Sequence, residues 1–118
     1  MHRIDIKPLS VNHLSTVIDG QIRKSKKHKK YVRDIGLLLP AMGSPGEGPL
    51  RLELEFGMSN PNADIDNPVK PIQDCLQAKY QFNDRQIHEL LIRKKIVEKN
   101  EEYFSFSIET LQKSAERC

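Results

Sequence analysis

Apolar and polar residues alternate most regularly in the segment that begins at Leu50. Leucine or phenylalanine fills every second position as far as Phe56, and the positions between them are charged. This period of two predicts a β-strand with one buried and one solvated face. A shorter alternation at residues 3–6 predicts another strand near the start of the chain.

Two more strands are predicted towards the end of the chain, at residues 86–98 and 102–108, joined by a tight turn near Lys99 and Asn100. The second of them has a single apolar face, formed by Phe104, Phe106 and Ile108. The segment from Thr110 onward is polar, and we expect it to be a tail that frays.

Apolar residues recur at helical spacing in two other segments. The first runs from about Lys29 to Pro40, which cannot continue a helix. Its predicted apolar face comprises Val32, Ile35, Leu38 and Leu39. A loop is predicted at 41–49, where three glycines and two prolines interrupt any regular pattern. The second helix is predicted to begin at Pro68, because the first helical position needs no N–H donor. Its apolar face comprises Val69, Ile72, Cys75 and Leu76.

This order of elements predicts an α+β fold, with a mixed β-sheet packed against two to three helices in one small domain. With 118 residues, the chain is long enough for one compact core and too short for two. We assign residues 1–109 to the domain and residues 110–118 to the polar tail.

Neither the apolar content nor the cysteines indicate a membrane or secreted protein. No apolar run approaches the roughly 20 residues that cross a bilayer, and the first residues lack the apolar core of a signal peptide. Cys75 and Cys118 show no metal-binding or disulfide spacing and are expected to be free thiols. We therefore expect a cytoplasmic protein.

Positive charge is concentrated in two places, although the formal net charge is only +3. Residues 23–33 contain no acid and carry the basic side chains of Arg23, Lys24, Lys26, Lys27, Lys29, Lys30 and Arg33. A second, smaller group comprises Arg93, Lys94, Lys95 and Lys99. Such runs are either solvated faces or contacts for a polyanion such as nucleic acid.

Three aspartates stand near the second predicted helix. Asp64 and Asp66 are two residues apart on an extended segment, so both side chains leave the same face. The two carboxylates repel each other unless a cation lies between them, and carboxylates are preferred ligands of Mg²⁺ and Mn²⁺. Asp84 precedes the next strand, which a sheet can bring beside the first. The alternative is that Asp66 or Asn67 caps the helix, as Asp and Asn often do.

Lys70 lies one helical turn beyond Asp66 and can face the same space. It is either an ion partner for Asp66 or a cation that holds a phosphate beside the metal. A hard cation, a positioned lysine and basic flanks are together the components of phosphodiester hydrolysis.

Three short runs resemble motifs of one nuclease family. They are DIDNPVK at 64–70, FNDRQI at 82–87 and PLSVN at 8–12. In their order they resemble the RusA family of Holliday junction endodeoxyribonucleases, and the similarity extends over residues 4–108. The chain departs from the family at Asn83, where many relatives have an acid.

The resemblance implies a Mg²⁺-dependent nuclease, for which Mn²⁺ is a substitute, that works as a homodimer. It implies a four-way DNA junction as the substrate, resolved by paired nicks in strands of like polarity during recombination and repair. On the matching positions, the metal-binding carboxylates are Asp64, Asp66 and Asp84, and the catalytic lysine is Lys70. The predicted DNA-binding residues are Asn12, Arg23, Lys24, Lys26, Lys27, Lys29 and Lys30. Two alternatives stay open: a metal nuclease for other branched DNA, and a basic DNA-binding protein without catalysis.

Overall fold

The described part of the chain contains six strands and two α-helices. The computed structural model describes residues 1–8, 15–18, 21–24 and 26–111, with the backbone alone at 15–18, 21–24, 27 and 28. In chain order the elements are β1 (His2–Ile4), β2 (Ser15–Ile18), β3 (Gln21–Lys24), α1 (Lys26–Leu38), β4 (Leu50–Met58), α2 (Val69–Tyr80), β5 (Ile87–Ile96) and β6 (Tyr103–Thr110). A short 3₁₀ helix, Asp84–Gln86, precedes β5. In the ranges described, neither α-helix is long and apolar enough to cross a membrane.

Four strands form one mixed sheet in the order β1-β6-β4-β5. The central strand β4 is antiparallel to β6, with Leu54 opposite Phe106, and parallel to β5, with Leu54 opposite Ile92. A parallel pair needs a crossover connection, and α2 supplies it. Strands β2 and β3 pair with each other in a separate antiparallel ribbon that was not predicted. The predicted α+β class, with a mixed sheet and two helices in one domain, is confirmed, while the homodimer stays a prediction.

The core lies between the helices and one face of the sheet. The alternation that predicted β4 is confirmed, because its three leucines and Phe56 are each at most 1% exposed. Apolar residues from the other elements pack with them: Ile4, Tyr31, Ile35, Ile72, Leu76, Tyr80, Phe104 and Phe106. Cys75 also lies in this core, and burial raises the pKa of its thiol to about 11. The thiol therefore stays protonated and unreactive at neutral pH.

Helix α1 is longer than predicted, and of the predicted apolar face Ile35 and Leu39 are buried as expected. It begins at Lys26 rather than near Lys29, which places most of the basic segment inside the helix. The buried residues are spaced four apart: Tyr31 and Ile35 in the helix, and Leu39 directly after its end. Two residues assigned to the buried face are exposed instead, Val32 at 39% and Leu38 at 51%. The prediction omitted Tyr31. Its ring has a large apolar area to bury, so the buried face of the helix includes it.

Three other details differ from the predictions or limit them. Strand β1 ends at Ile4 rather than Ile6, because the Ile6 N–H donates to the Ile4 carbonyl at 2.9 Å and turns the chain. The strands β5 and β6 are both present, as predicted, and β4 lies between them in the sheet. Strand β6 extends to Thr110, and residues 112–118 lie outside the described residues. The division into a domain and a tail therefore stays a prediction.

The second face of the sheet is polar. Arg93 donates to the Glu53 carboxylate at 2.8 Å, and the Lys95 ammonium lies 3.8 Å from the Glu55 carboxylate. The hydrogen bond from Arg93 holds the pKa of Glu53 below its usual range. Part of the second basic group is thus engaged by acids of the neighbouring strand.

Candidate active site

Residues 59–68 connect β4 to α2 through a series of turns, and we call them the acid-bearing segment because they contain Asp64 and Asp66. The Asn67 N–H donates to the Asp64 carbonyl at 3.4 Å, and the first N–H of α2 donates to the Asp66 carbonyl at 3.1 Å. The N-cap of α2 is Pro68, with no side-chain hydrogen bond to the first turn. Backbone carbonyls, and not carboxylates, therefore accept from the amides that lead into the helix. The predictions that Asp66 or Asn67 caps the helix and that Pro68 is its first residue are wrong.

The carboxylates of Asp64 and Asp66 are exposed. Within the described residues, neither takes part in a hydrogen bond or an ion pair. The same holds for Asp84, which opens the 3₁₀ helix before β5. All three carboxylates are available to a ligand.

The aspartates lie towards different ends of the β4–β5 pair. Because the two strands are parallel, the start of β5 lies beside the start of β4, with Ile87 opposite Leu50. Asp84 is therefore near the start of β4, whereas the acid-bearing segment follows its end. The prediction that a sheet brings the two strands side by side is confirmed, but strand pairing alone does not bring the three acids together.

The acid-bearing segment lies beside the second half of β5. The Lys94 ammonium, on β5, donates to the Pro61 and Ala63 carbonyls at 3.0 and 2.6 Å. Further back, Gln73 of α2 and Asp84 line one open cleft of about 450 Å³. Its other lining residues are Arg85, Ile87, His88 and Leu90. The first turns of α2 thus lie beside the start of β5.

Lys70 occupies the first turn of α2, where its ammonium donates to the Asp74 carboxylate at 2.7 Å. The alternative in which it pairs with Asp66 is wrong. Both partners are more than half exposed, at 61% and 52%, so the pair is weak. The hydrogen bond to Asp74 raises the pKa of Lys70, and the charge of Asp84 acts in the same direction. Lys70 and Asp84 are therefore within electrostatic reach of each other.

The turn that carries Asp84 is held by Gln86. Its side-chain Nε2 donates to the Gly46 and Gly48 carbonyls at 2.7 and 3.0 Å, and its Oε1 accepts from the Asn83 N–H at 2.8 Å. Both ends of the amide are thus used, and they fix the turn against the preceding loop. The glycine partners stand 40 and 38 residues earlier in the chain, which is why local sequence patterns give no sign of this contact.

Sequence analysis missed three residues around the site: Gln73, His88 and Lys94. The alternation along β5 is a sequence signal for Lys94, because it places this side chain on the opposite face of the strand from Arg93 and Lys95. No local sequence signal identifies Gln73, because it meets Asp84 only through the crossover of α2. His88 lies close to Asp84 in the chain, at the start of β5.

The structure also tests whether these residues fit a metal ion. Within the described residues, no three His, Cys, Asp or Glu side chains are grouped closely enough to hold one. Asp64, Asp66 and Asp84 are thus not assembled as a single ligand set. A Mg²⁺ site needs only one or two carboxylates, because water and substrate phosphate complete its shell. The exposed carboxylates of Asp64 and Asp66, which have no other partner among the described residues, fit such an ion.

Helix α1 presents a basic face on the side opposite its buried one. We use "basic face of α1" for four exposed residues at helical spacing: Lys26, Lys29, Lys30 and Arg33. Lys27 lies in the same helix, and Arg23 and Lys24 end β3. Asn12 lies outside the described residues. A positive stripe of this kind matches the phosphates of a nucleic acid.

Comparison with known proteins identifies the family. The family model of endodeoxyribonuclease RusA matches residues 5–103. The chain belongs to the RusA family. The RusA match includes all four residues predicted to be catalytic and confirms the resemblance carried by the three motifs. RusA-family proteins are Holliday junction endodeoxyribonucleases that generally depend on a divalent metal. A search of curated proteins found no match to the chain.

Proposed function

We propose that this chain is a Mg²⁺-dependent endodeoxyribonuclease that resolves Holliday junctions by paired nicks. The observation that carries the proposal is the pair of exposed, uncommitted carboxylates of Asp64 and Asp66, inside the range matched by the RusA family. Lys70, one turn further on, adds a cation suited to a phosphate whose charge increases during hydrolysis.

Asp64, Asp66 and Asp84 would hold the Mg²⁺ ion, for which Mn²⁺ is a substitute. A divalent ion bound there lowers the pKa of a coordinated water and neutralises charge on the phosphate. Asp84 comes from a different segment than the other two acids. The contacts of Gln86 hold the turn that carries the Asp84 carboxylate.

Lys70 is the residue that would act on the phosphate itself. Its ammonium is charged at neutral pH, as that of any lysine with an ordinary pKa is, and the hydrogen bond to Asp74 raises the pKa further. Its exposed partner Asp74 can be exchanged for a phosphate oxygen at small cost, because surface ion pairs are weak. An ammonium beside the phosphate stabilises the negative charge that develops in the transition state. Lys70 can thus be ion-paired in the free protein and catalytic in the complex.

The basic face of α1, together with Arg23, Lys24, Lys27 and Asn12, would contact the DNA backbone, where neutralised phosphates supply much of the affinity. A homodimer suits the substrate, because two identical sites related by a two-fold axis match a junction with approximate two-fold symmetry.

Neutralising Lys26, Lys27, Lys29 and Lys30 together by substitution with glutamine should weaken junction binding and flatten its salt dependence. Each lost phosphate contact lowers the slope of log affinity against log salt by about one unit. Fluorescence anisotropy with a labelled junction, in Ca²⁺ and across a salt series, measures both quantities. Lys95→Gln is the control, because its ammonium already lies near Glu55. Unchanged affinity and slope for the fourfold variant would make the basic face a solvated surface.

A cleavage assay tests the proposed function directly. Labelled four-way junction, matched duplex and single strand are each incubated with Mg²⁺ or with EDTA and resolved on a denaturing gel. We expect symmetrically paired nicks in the four-way junction, and no cleavage of the duplex or the single strand. The nicks should appear with Mg²⁺ and be absent with EDTA. Faster cleavage of flaps or forks, included as further substrates, would favour a nuclease for other branched DNA. Binding without cleavage would favour a DNA-binding protein without catalysis.

A further inference from the structure

Lys94 holds the acid-bearing segment against the sheet. Its ammonium donates to the carbonyls of Pro61 and Ala63, and the second of these residues directly precedes Asp64. We propose that Lys94 is a positioning residue, which fixes the backbone from which Asp64 and Asp66 project and so sets their affinity for Mg²⁺. The inference rests on the proposed function, because it assigns a purpose to the site proposed there.

The neighbours of Lys94 on β5 show that its role differs from that of an ordinary surface lysine. Arg93 and Lys95 lie on the polar face of the sheet, near Glu53 and Glu55. Lys94 has no acid partner among the described residues and directs its charge to two carbonyl oxygens instead. Hydrogen bonds from an ammonium are stronger than those from a neutral donor, so two of them to one short segment restrain it effectively.

In the described structure, no other hydrogen bond ties this part of the segment to the sheet. Ser59, at its start, donates to Glu102 at 2.7 Å. For residues 60–67, every hydrogen bond to the sheet in the described ranges comes from Lys94. The remaining bonds of these residues are turns within the segment or at its junction with α2. Removal of the Lys94 ammonium therefore frees the backbone that carries the two acids.

The position of that backbone matters because two nearby carboxylates repel each other before an ion binds. If the segment is held in place, the repulsion cannot drive the side chains apart by moving the main chain, and less ordering is needed when the ion arrives. Partners that orient metal ligands from outside the coordination shell typically change metal affinity by about 10- to 100-fold.

The test compares Lys94→Met, Lys94→Arg and Lys95→Met in the full-length protein. Lys94→Met keeps the length of the side chain without its charge, Lys94→Arg keeps donors, and Lys95→Met is the matched control on the next residue. Amide hydrogen exchange of peptides covering residues 60–67 and Mn²⁺ binding without DNA are measured first. Single-turnover junction cleavage across a Mg²⁺ series and thermal melting follow.

For Lys94→Met we expect roughly 10-fold faster exchange in residues 60–67 from the loss of two charged hydrogen bonds. We also expect a Mn²⁺ affinity and a half-saturating Mg²⁺ concentration that are both poorer by about 10-fold or more. Cleavage at saturating Mg²⁺ should change much less. Lys94→Arg should recover part of each loss, and Lys95→Met should match the wild type.

Unchanged Mn²⁺ affinity and Mg²⁺ dependence in a folded Lys94→Met variant would overturn the proposal, whatever its melting temperature. If Lys94→Met does not fold, a Lys94→Arg variant with faster exchange but wild-type Mn²⁺ affinity would overturn it equally. Failure of the proposed function is distinguishable: a wild-type protein that cuts no DNA removes the nuclease assignment, while exchange and Mn²⁺ binding still decide the role of Lys94.

Discussion

Asp64→Asn, Asp66→Asn and Asp84→Asn should each reduce junction cleavage to background while junction binding stays intact or becomes tighter. Each substitution would remove one of the proposed charged oxygen ligands, so we expect more than the roughly 100-fold loss that follows removal of an outer partner of a metal ligand. Each also removes a charge that repels phosphate, so binding should not weaken. Single-turnover cleavage at saturating Mg²⁺ and junction binding in Ca²⁺ measure the two effects separately.

Asp5→Asn is the control for these variants. Asp5 is also an exposed acid, but it follows β1, at the opposite edge of the sheet from β5, and pairs with Arg3 at 2.8 Å. It should cut at the wild-type rate. A near-normal rate for any one of the three site variants would remove that residue from the ligand set. The Asp84 variant is the most demanding test of the ligand set. Strand pairing leaves Asp84 towards the other end of the β4–β5 pair from Asp64 and Asp66.

Lys70→Ala should slow the chemical step by about 100-fold or more with junction affinity nearly unchanged, because the ammonium stabilises charge that appears mainly in the transition state. A role limited to the ion pair with Asp74 predicts a different result. Such an exposed pair contributes at most about 1 kcal/mol to stability, and its loss leaves turnover alone. Lys70→Arg should restore activity only in part, since a planar guanidinium differs in geometry from a compact ammonium.

The structure supplies a matched control for this prediction in Asp74→Asn. This variant removes the partner carboxylate, which accepts from Lys70 at 2.7 Å, and leaves the lysine in place. It should match Lys70→Ala in melting temperature and the wild type in single-turnover rate. Equal cleavage rates for Lys70→Ala and Asp74→Asn would show that the lysine serves the ion pair and not the reaction.

The elements of the fold that are specified by residues close together in the sequence could be predicted. The alternation from Leu50 to Phe56 identified β4, because a strand in the centre of a sheet with one buried face has no freedom to break that period. The face of α1 was predicted less well. A tyrosine competes with leucine and valine for the core there, and only the packed structure shows that Tyr31 is buried while Val32 is exposed.

The candidate site also contains a part that depends on local sequence and a part that depends on long-range contacts. The motif at 64–70 led to the proposal of Asp64, Asp66 and Lys70 as site residues, since all of its members are local. The partner of Lys70 was predicted wrongly, because Asp74 and Asp66 are both about one helical turn away and side-chain direction decides between them. The contacts of Lys94 and Gln86 could not be predicted, since each joins segments that are 31 to 40 residues apart in the chain.

The first strand of the sheet pairs with the last, with His2 of β1 opposite Phe106 of β6. Strand β6 also pairs with one edge of β4. During synthesis, β1 therefore lacks its neighbour in the sheet, and one edge of β4 stays unpaired, until Tyr103–Thr110 has been made. Pairings between such distant segments form slowly, because a long stretch of chain must lose conformational entropy before the stabilising contacts can form. A ribosome-bound fragment that ends before β6 therefore cannot complete the core on which the acid-bearing segment rests. Synthesis itself delays the nuclease until nearly the whole domain has emerged.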